Sequence, residues 1–228
     1  MGKSLRAAGP IGAASTVRSV RQHDATQPAR QAQAAVEAFL ASRLDDHSRV
    51  TLRLLSDADQ DEFLGLVAAS TGLHHPWMSL PATPQEFRAY RTRFDHVTAE
   101  SLLICLRGTG SIAGFVNINS IIRGRFQNGS LSYAAFAPAA GRGYMAEGLG
   151  LVVRYAFERL RLHRLEAQIQ PPNHASIGLV RRLGFRRKGY SPELLFIDGA
   201  RRDHERWAIT RDMIDIVPTS PHPSLPAR

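Results

Sequence analysis

The sequence contains very little cysteine and no long apolar segment. Its single cysteine, Cys105, cannot form a disulfide within the chain, and it lies in the apolar run SLLICL, which predicts a buried strand thiol. No stretch approaches the roughly 18 consecutive apolar residues of a membrane span, and the start has no apolar segment ahead of a cleavage site. We therefore expect a cytoplasmic protein with no disulfide, no redox chemistry and no membrane partner.

The composition suits one globular domain with a basic surface. The 228 residues are 43% hydrophobic and 21% charged, as expected for a domain of roughly 150 to 200 residues plus tails. The net charge is +9, and most of the excess lies after residue 141. The positive electrostatic field of such a surface favours a polyanionic partner, either a phosphorylated cofactor or RNA. Arginines that lie only on solvated helix faces would give the same net charge.

Local composition divides the chain into three parts. Residues 1–48 form an N-terminal extension, and its first 28 residues, without aromatic side chains or periodicity, are predicted to be disordered. Apolar residues at helical spacing predict a short helix near residues 29–44. Residues 49–212 hold the folded domain. Residues 213–228 contain four prolines and are predicted to form a loose tail.

Apolar spacing in the folded domain predicts alternating strands and helices. A strand at residues 49–55 precedes a helix, and a second helix begins with a capping box of Thr83 and Glu86 around Pro84. Three strands of an antiparallel meander follow between residues 101 and 138.

The C-terminal half continues the alternation. A helix near residues 149–160 and a strand at 163–170 precede a helix with Asn173 at its N-cap and Gly184 after its C-terminus. Two strands, LLFI and DHERWAIT, flank an Asp-Gly turn. This order predicts a mixed α/β (α+β) fold with a largely antiparallel sheet.

The stretch AAGRGYMAEGLG, residues 139–150, joins the last meander strand to a long helix. Glycines allow close backbone approach, and the first amides of a helix lack partners within it, so this loop predicts a site for an anion such as a pyrophosphate. No Gly-Lys-Ser/Thr follows, which excludes a P-loop, and the preceding meander excludes a Rossmann crossover. A purely structural turn is the alternative.

The segments GRGYMAEGL and PPNHASIGLVRRLGF together resemble motifs A and B of the GNAT acetyltransferases. The likeness covers about residues 49–212, where TLRLLSDADQDEF, HHPW and DGARRDHERWAIT also resemble the RimJ/RimL-like branch, which acetylates the N-terminal amines of proteins. The resemblance implies the GNAT acyl-CoA N-acyltransferase fold, a mixed and mostly antiparallel sheet flanked by helices. It also implies acetyl-CoA as the cosubstrate.

The resemblance further implies where acetyl-CoA is held. Strand YAAFA would diverge from its neighbour, so that a free amide near Ala135 or Phe136 polarises the thioester carbonyl. Asn173 would hydrogen-bond the pantetheine arm, with a role as a helix cap alone being the alternative. The pyrophosphate would lie on the backbone amides of Gly141, Arg142, Gly143, Tyr144, Met145 and Ala146.

The resemblance leaves the catalytic groups only partly assigned. It implies that the Ser176 hydroxyl faces the leaving sulfur and acts as general acid, the alternative being a helix residue with no chemical role. Two positions that carry a glutamate base and a tyrosine acid in some relatives are Gln168 and Val180 here. The base is therefore left open among Glu193, His204 and a relay of waters.

The acceptor is expected beside the loop between the first two helices, where His74, His75 and Trp77 could line its site. Two adjacent histidines without a third ligand make a poor metal site, so no metal is expected. The favoured function is acetylation of a protein N-terminus of the ribosomal-protein type, because an α-amine needs a weaker base than a lysine amine. A small amine or antibiotic is the alternative acceptor, and an RNA- or ribosome-binding module without catalysis is the alternative of another class. A homodimer is left open.

Overall fold

The computed structural model of the protein describes residues 27–216. Its strands are Val50–Leu54 (β1), Glu100–Leu106 (β2), Ile112–Ile122 (β3), Asn128–Ala135 (β4), Arg164–Ile169 (β5), Arg186–Ile197 (β6) and Ala200–Thr210 (β7). They form one seven-stranded sheet in the order β1-β2-β3-β4-β5-β7-β6. All neighbours are antiparallel except β4 and β5, which are parallel. The predicted mixed, mostly antiparallel fold is therefore confirmed.

Within residues 27–216, helices flank this sheet, and three 3-10 turns accompany them. The helices are Gln27–Ala41 (α1), Gln60–Ala69 (α2), Thr71–His74 (α3), Pro84–Arg91 (α4), Tyr144–Glu158 (α5) and His174–Arg182 (α6), and the turns are Asp57–Asp59, Ala137–Ala139 and Arg211–Ile216. The predicted capping box is present, because Thr83 accepts from the Glu86 amide and the Glu86 carboxylate accepts from the Thr83 amide. Between residues 27 and 216 no helix is long and apolar enough to cross a membrane.

Both faces of the sheet are covered near β2 and β3. On one face α1, α5 and α6 bury the larger core, which includes Val153 and Leu165. On the other face Phe63 of α2 centres an aromatic cluster, with its ring centroid 5.4 Å from that of Phe136 and 5.7 Å from that of Phe115. Because both faces are buried, β2 and the first half of β3 are nearly continuous apolar runs rather than alternating strands.

Helix α1 packs against the folded domain. Its buried residues lie on one helix face and include Val36 and Phe39. The Phe39 ring meets the Tyr155 ring of α5 edge to face, with centroids 5.7 Å apart. Just beyond the helix, Arg43 forms an ion pair of 2.8 Å with Glu158. The last part of the N-terminal extension is therefore integrated into the core.

Two predictions about loops and ends need correction. The predicted loop between the first two helices, TGLHHPWMSLP, begins instead with α3, because the His74 amide donates to the Ser70 carbonyl at 3.0 Å and continues the turn after α2. The predicted tail starts later than residue 213, since the last 3-10 turn extends to Ile216. The remaining residues predicted as disordered or loose, 1–26 and 217–228, lie outside the described residues.

The final hairpin is longer than the sequence predicts. Asp198 and Gly199 have φ of 52° and 74°, which suits the predicted two-residue turn. Strand β6, however, begins at Arg186, well before the predicted LLFI. The part of β6 that the sequence does not predict contains a basic run and Pro192, and both are atypical of a strand. An edge strand tolerates proline, and the β6–β7 register shifts between Ser191 and Leu195.

Candidate active site

The site is built where two parallel strands separate. Pairing between β4 and β5 ends at Leu131 and Ala167, although β4 continues to Ala135. The Phe136 amide donates to the Ala113 carbonyl at 2.9 Å. Because successive amides in an antiparallel pair point alternately toward and away from the partner, the Ala135 amide is directed at the opposite edge, into the gap.

This geometry decides between the two amides predicted from the sequence. The Phe136 amide is already engaged with β3, and the Phe136 side chain is fully buried in the aromatic cluster. Phe136 is therefore a wrong assignment, and Ala135 is the amide available to a carbonyl oxygen.

A cavity of about 590 Å³ opens at this gap. Its walls come from the end of β4, the glycine-rich loop, the first turn of α5, one side of α6, and the segment that follows α2. It brings together most of the predicted site residues, namely Ala135, Gly141, Gly143, Tyr144, Met145, Ala146, Asn173 and Ser176 with His74 and Trp77. Among residues 27–216, no acidic side chain lines the cavity, and Arg182 is the one arginine or lysine that does.

The glycine-rich loop presents backbone amides to the cavity. Gly141 and Gly143 have φ of 77° and 81°, in the left-handed region that favours glycine, and α5 begins directly after them. Within residues 27–216 no acceptor is found for the amides of residues 141–145. The positive end of the α5 dipole adds to these donors, so the loop can hold an anion without a charged side chain.

Two members of the predicted anion site differ from expectation. The Ala146 amide already donates to the Gly143 carbonyl at 3.1 Å, within the first turn of α5. Arg142 is exposed and is not among the residues that line the cavity, so its side chain is not part of the site.

Arg49, which the sequence does not indicate as a site residue, holds this loop in place. The Arg49 side chain forms an ion pair of 3.0 Å with Glu147 and donates to the Arg142 carbonyl at 3.1 Å. Its guanidinium also lies 5.0 Å from the centroid of the Tyr144 ring. Glu147 in turn accepts from the Arg49 and Val50 amides at 2.7 and 3.2 Å. The start of β1 therefore holds the loop against α5.

Asn173 caps α6 as predicted. Its Oδ1 accepts from the Ser176 amide at 3.1 Å. No protein partner is found for its Nδ2 in the described part of the chain, and the residue lines the cavity. The side chain can therefore cap the helix and still donate to a ligand.

The Ser176 hydroxyl has a partner that the sequence analysis did not identify. Tyr133 Oη lies 2.6 Å from Ser176 Oγ, and both residues line the cavity. Burial raises the pKa of Tyr133 to about 12, so its phenol keeps its proton at neutral pH. Only the alternation of β4, which turns Tyr133 to the same face as Leu131, could have indicated this contact.

The three predicted acceptor residues have different surroundings. His74 is buried, and its Nε2 lies 2.8 Å from the Ala135 carbonyl, so the ring fastens the end of β4. Trp77 lines the cavity. His75 does not line it: its ring is exposed and lies 3.0 Å from the Asp198 carboxylate in the β6–β7 turn.

The predicted bases are not at the cavity. Glu193 is exposed on β6, and its amide donates to Asp203 at 2.8 Å. His204 is buried on β7 beside the Arg202 carbonyl, and burial lowers its pKa. Neither residue lines the cavity, so the structure corrects both assignments.

Comparison with known proteins assigns the family. A family profile described as the acetyltransferase (GNAT) domain matches residues 49–186. The ribosomal protein uS5 alanine N-acetyltransferase of Escherichia coli is 37% identical over 99 residues, which are 43% of this chain and 51% of that protein. The chain thus spans about half the length of that relative. A Bacillus subtilis protein named "Probable N-acetyltransferase YjcK" is 28% identical over 168 residues, which are 70% of this chain and 93% of that protein.

Solved structures show the same fold. Mycobacterium smegmatis RimJ, in complex with CoA-disulfide, has a TM-score of 0.66 at 24% identity, over 72% of this chain and 82% of that one. Vibrio cholerae spermidine N-acetyltransferase, in complex with CoA and spermine, has a TM-score of 0.64 at 20% identity, over 73% and 98%. With a profile match that covers more than half of the sequence, the chain belongs to the GNAT acetyltransferase family.

Proposed function

We propose that the protein transfers the acetyl group of acetyl-CoA to the N-terminal α-amine of a protein. One observation carries the proposal: a single cavity unites the unpartnered amides of the glycine-rich loop, the Ala135 amide in the gap between β4 and β5, and the Ser176 hydroxyl. These are the groups needed to hold a pyrophosphate, to polarise a carbonyl and to stabilise a leaving sulfur.

The residues present fit acetyl-CoA. The amides of residues 141–145 would hold the pyrophosphate, and Nδ2 of Asn173 would donate to the pantetheine arm. The thioester would then lie in the gap, with its carbonyl oxygen facing the Ala135 amide. One preorganised donor of this kind is typically worth roughly 3 to 4 kcal/mol of barrier.

In the transfer step the acceptor nitrogen attacks the thioester carbonyl carbon, the C–N bond forms and the C–S bond breaks. The electron pair of the C–S bond stays on sulfur, and the ammonium formed from the acceptor loses a proton to solvent. The Ser176 hydroxyl stabilises the developing thiolate, which has an ordinary pKa near 8.5 and can leave without full protonation.

The cavity favours an α-amine acceptor over a polyamine. No carboxylate from the described part of the chain lines it, so the additional positive charges of a polyamine would find no counter-ion among these residues. For the same residues, the cavity also has no carboxylate that could act as a base. An α-amine with a pKa near 8 is already roughly a tenth neutral at pH 7, whereas a lysine amine near 10.4 needs a much stronger base. Leu73, Trp77 and Met78 give the acceptor side of the cavity an apolar wall, which suits an uncharged first side chain.

A small-amine acceptor is the second candidate, because one structural neighbour is named as a spermidine N-acetyltransferase. The test compares three acceptors with the purified full chain and acetyl-CoA: a peptide with a free N-terminal alanine, the same peptide with a blocked N-terminus and an internal lysine, and spermidine. We expect CoA release with the first acceptor only. CoA release with spermidine alone would contradict the proposed α-amine acceptor and would identify a polyamine as the acceptor.

Binding of the cosubstrate is tested separately. A concentration of acetyl-CoA 100 times its Kd should stabilise the fold by about 2.7 kcal/mol, which appears as a higher melting temperature. Absence of any shift at millimolar acetyl-CoA would overturn the enzyme proposal and favour the RNA- or ribosome-binding alternative.

A further inference from the structure

The Tyr133–Ser176 contact joins the two sides of the gap. Tyr133 lies on β4, opposite Val116 of β3, and Ser176 lies in the first turn of α6. The two hydroxyl oxygens are 2.6 Å apart, and in residues 27–216 neither oxygen has a second hydrogen-bond partner. One of the two protons must therefore lie between the oxygens, and the other is left for a ligand.

We propose that Tyr133 is a positioning residue: its phenol donates to Ser176 Oγ and so leaves the Ser176 proton directed at the leaving sulfur. The inference rests on the proposed acetyl transfer from acetyl-CoA. It adds a residue of β4 to the machinery that stabilises the thiolate.

The direction of the hydrogen bond follows from the chemistry of the two groups. A phenol is a stronger acid than an aliphatic alcohol and therefore the better donor, while the alcohol oxygen is the better acceptor. Tyr133 is also held by the β3–β4 ladder, which fixes the position of its ring, whereas a serine hydroxyl rotates freely. With its lone pair occupied by Tyr133, Ser176 has fewer orientations that direct its proton away from the sulfur.

Tyr133 acts without giving up its proton. Burial raises the pKa of Tyr133 to about 12, far above the value near 8.5 of a free thiol, so a full proton transfer from the phenol through Ser176 to the thiolate would be uphill. The thiolate is instead stabilised by the Ser176 hydrogen bond and takes its proton from solvent after the C–S bond has broken.

Coenzyme A itself is the probe for this arrangement, because its thiolate absorbs in the ultraviolet and its thiol can be titrated while bound. We expect Ser176→Ala to lower the acid dissociation constant of the bound thiol about tenfold, because the thiolate, a charged group, loses one hydrogen bond. Tyr133→Phe should lower it about threefold, and the double variant should match Ser176→Ala.

Turnover gives an independent readout. With acetyl-CoA and the alanine-initiated peptide, Tyr133→Phe should lower kcat about threefold and leave KM for acetyl-CoA unchanged. The matched control is Tyr190→Phe, because the Tyr190 phenol bonds Asp203 and does not line the cavity. We expect Tyr190→Phe to have the same kcat and the same KM for acetyl-CoA as the wild type.

The outcomes separate this inference from the proposed function. A wild-type protein that binds no CoA would overturn the proposed function and with it the role of the pair. A wild-type protein that binds CoA, together with a Tyr133→Phe variant that titrates like wild type, would overturn the positioning role alone. Full additivity with Ser176→Ala would do the same, because the phenol would then act independently of Ser176. Loss of cooperative unfolding in Tyr133→Phe would also overturn the positioning role, because it would make the phenol a structural group.

Discussion

Arg49 and Glu147 form an ion pair of 3.0 Å that joins the start of β1 to the first turn of α5. The same arginine donates to the Arg142 carbonyl at 3.1 Å, so the pair fixes the loop whose amides face the cavity. The Glu147 carboxylate is almost fully buried, at 7% side-chain exposure, while Arg49 is 38% exposed. A contact between residues 98 positions apart thus holds the loop that we propose as the anion site.

We expect Arg49→Ala to weaken acetyl-CoA binding about threefold to tenfold, because the loop loses its link to β1 while its amides remain. The matched control is Arg43→Ala, which removes another arginine–glutamate pair between the N-terminal region and α5. Calorimetric titration of both variants with acetyl-CoA measures the difference. Equal affinities in the two variants would show that the Arg49 pair does not order the loop.

Replacing Gly143 with alanine should impair binding more than it impairs the fold. Gly143 has a φ of 81°, where alanine costs roughly 1 to 2 kcal/mol, and its Cβ would lie 3.3 Å from Arg49 Nη2. Gly199→Ala provides the same backbone strain, at a φ of 74° in the β6–β7 turn, with nothing within 4 Å of its Cβ. We expect similar losses in melting temperature and a loss of acetyl-CoA affinity in Gly143→Ala only. Unchanged affinity would make the loop a structural turn.

Ser176→Ala should lower kcat about tenfold to a hundredfold with little change in KM for acetyl-CoA, because the hydroxyl acts on the leaving sulfur only in the transition state. The helix cap remains, since Asn173 Oδ1 bonds the Ser176 backbone amide. The free energy of unfolding should therefore fall by only a few tenths of a kcal/mol. A variant with wild-type kcat would remove Ser176 from the reaction.

A buried carboxyl outside the cavity predicts a pH-dependent stability. Glu100 is 1% exposed and accepts from Tyr155 Oη at 3.1 Å, and burial raises the pKa of Glu100 from 4.5 to about 7. Because the folded value is the higher one, the stability contributed by the protonated carboxyl is fully present below about pH 4.5. It is lost as pH rises through about 7, by at most about 3 kcal/mol.

Glu100→Gln should therefore be more stable than wild type at pH 8 and close to wild type at pH 4.5. The control is Glu37→Gln on the exposed side of α1, which should follow the wild-type profile. Denaturant unfolding at several pH values measures the difference. A constant gap between wild type and Glu100→Gln over this range would contradict the raised pKa of Glu100.

The parts of the structure that could be predicted depend on short sequence separations. The Thr83–Glu86 box, the Asn173 cap and the Asp198-Gly199 turn each involve residues within three positions of one another, so their residue types identify them directly. The residues of the glycine-rich loop are likewise adjacent in the sequence.

The parts that were missed depend on contacts between distant segments. Tyr133 and Ser176 are 43 positions apart, and nothing near Tyr133 in the chain indicates which helix its phenol will meet. The residue type of Glu193 makes it a candidate base, but the β6–β7 ladder places it on the exposed edge strand, away from the cavity. Strand pairing, which residue type encodes only weakly, decides both cases.

Because β4 and β5 separate, one backbone amide hydrogen in the middle of the sheet is able to exchange with solvent. Amides in central strands normally exchange for deuterium only when the whole domain opens. The Ala135 amide should instead exchange as quickly as one in a surface turn, while the adjacent Phe136 amide, bonded to Ala113 at 2.9 Å, stays protected. A thioester carbonyl in the gap would slow exchange at Ala135 and leave Phe136 unchanged, so deuterium uptake at one backbone position reports the arrival of the acetyl donor.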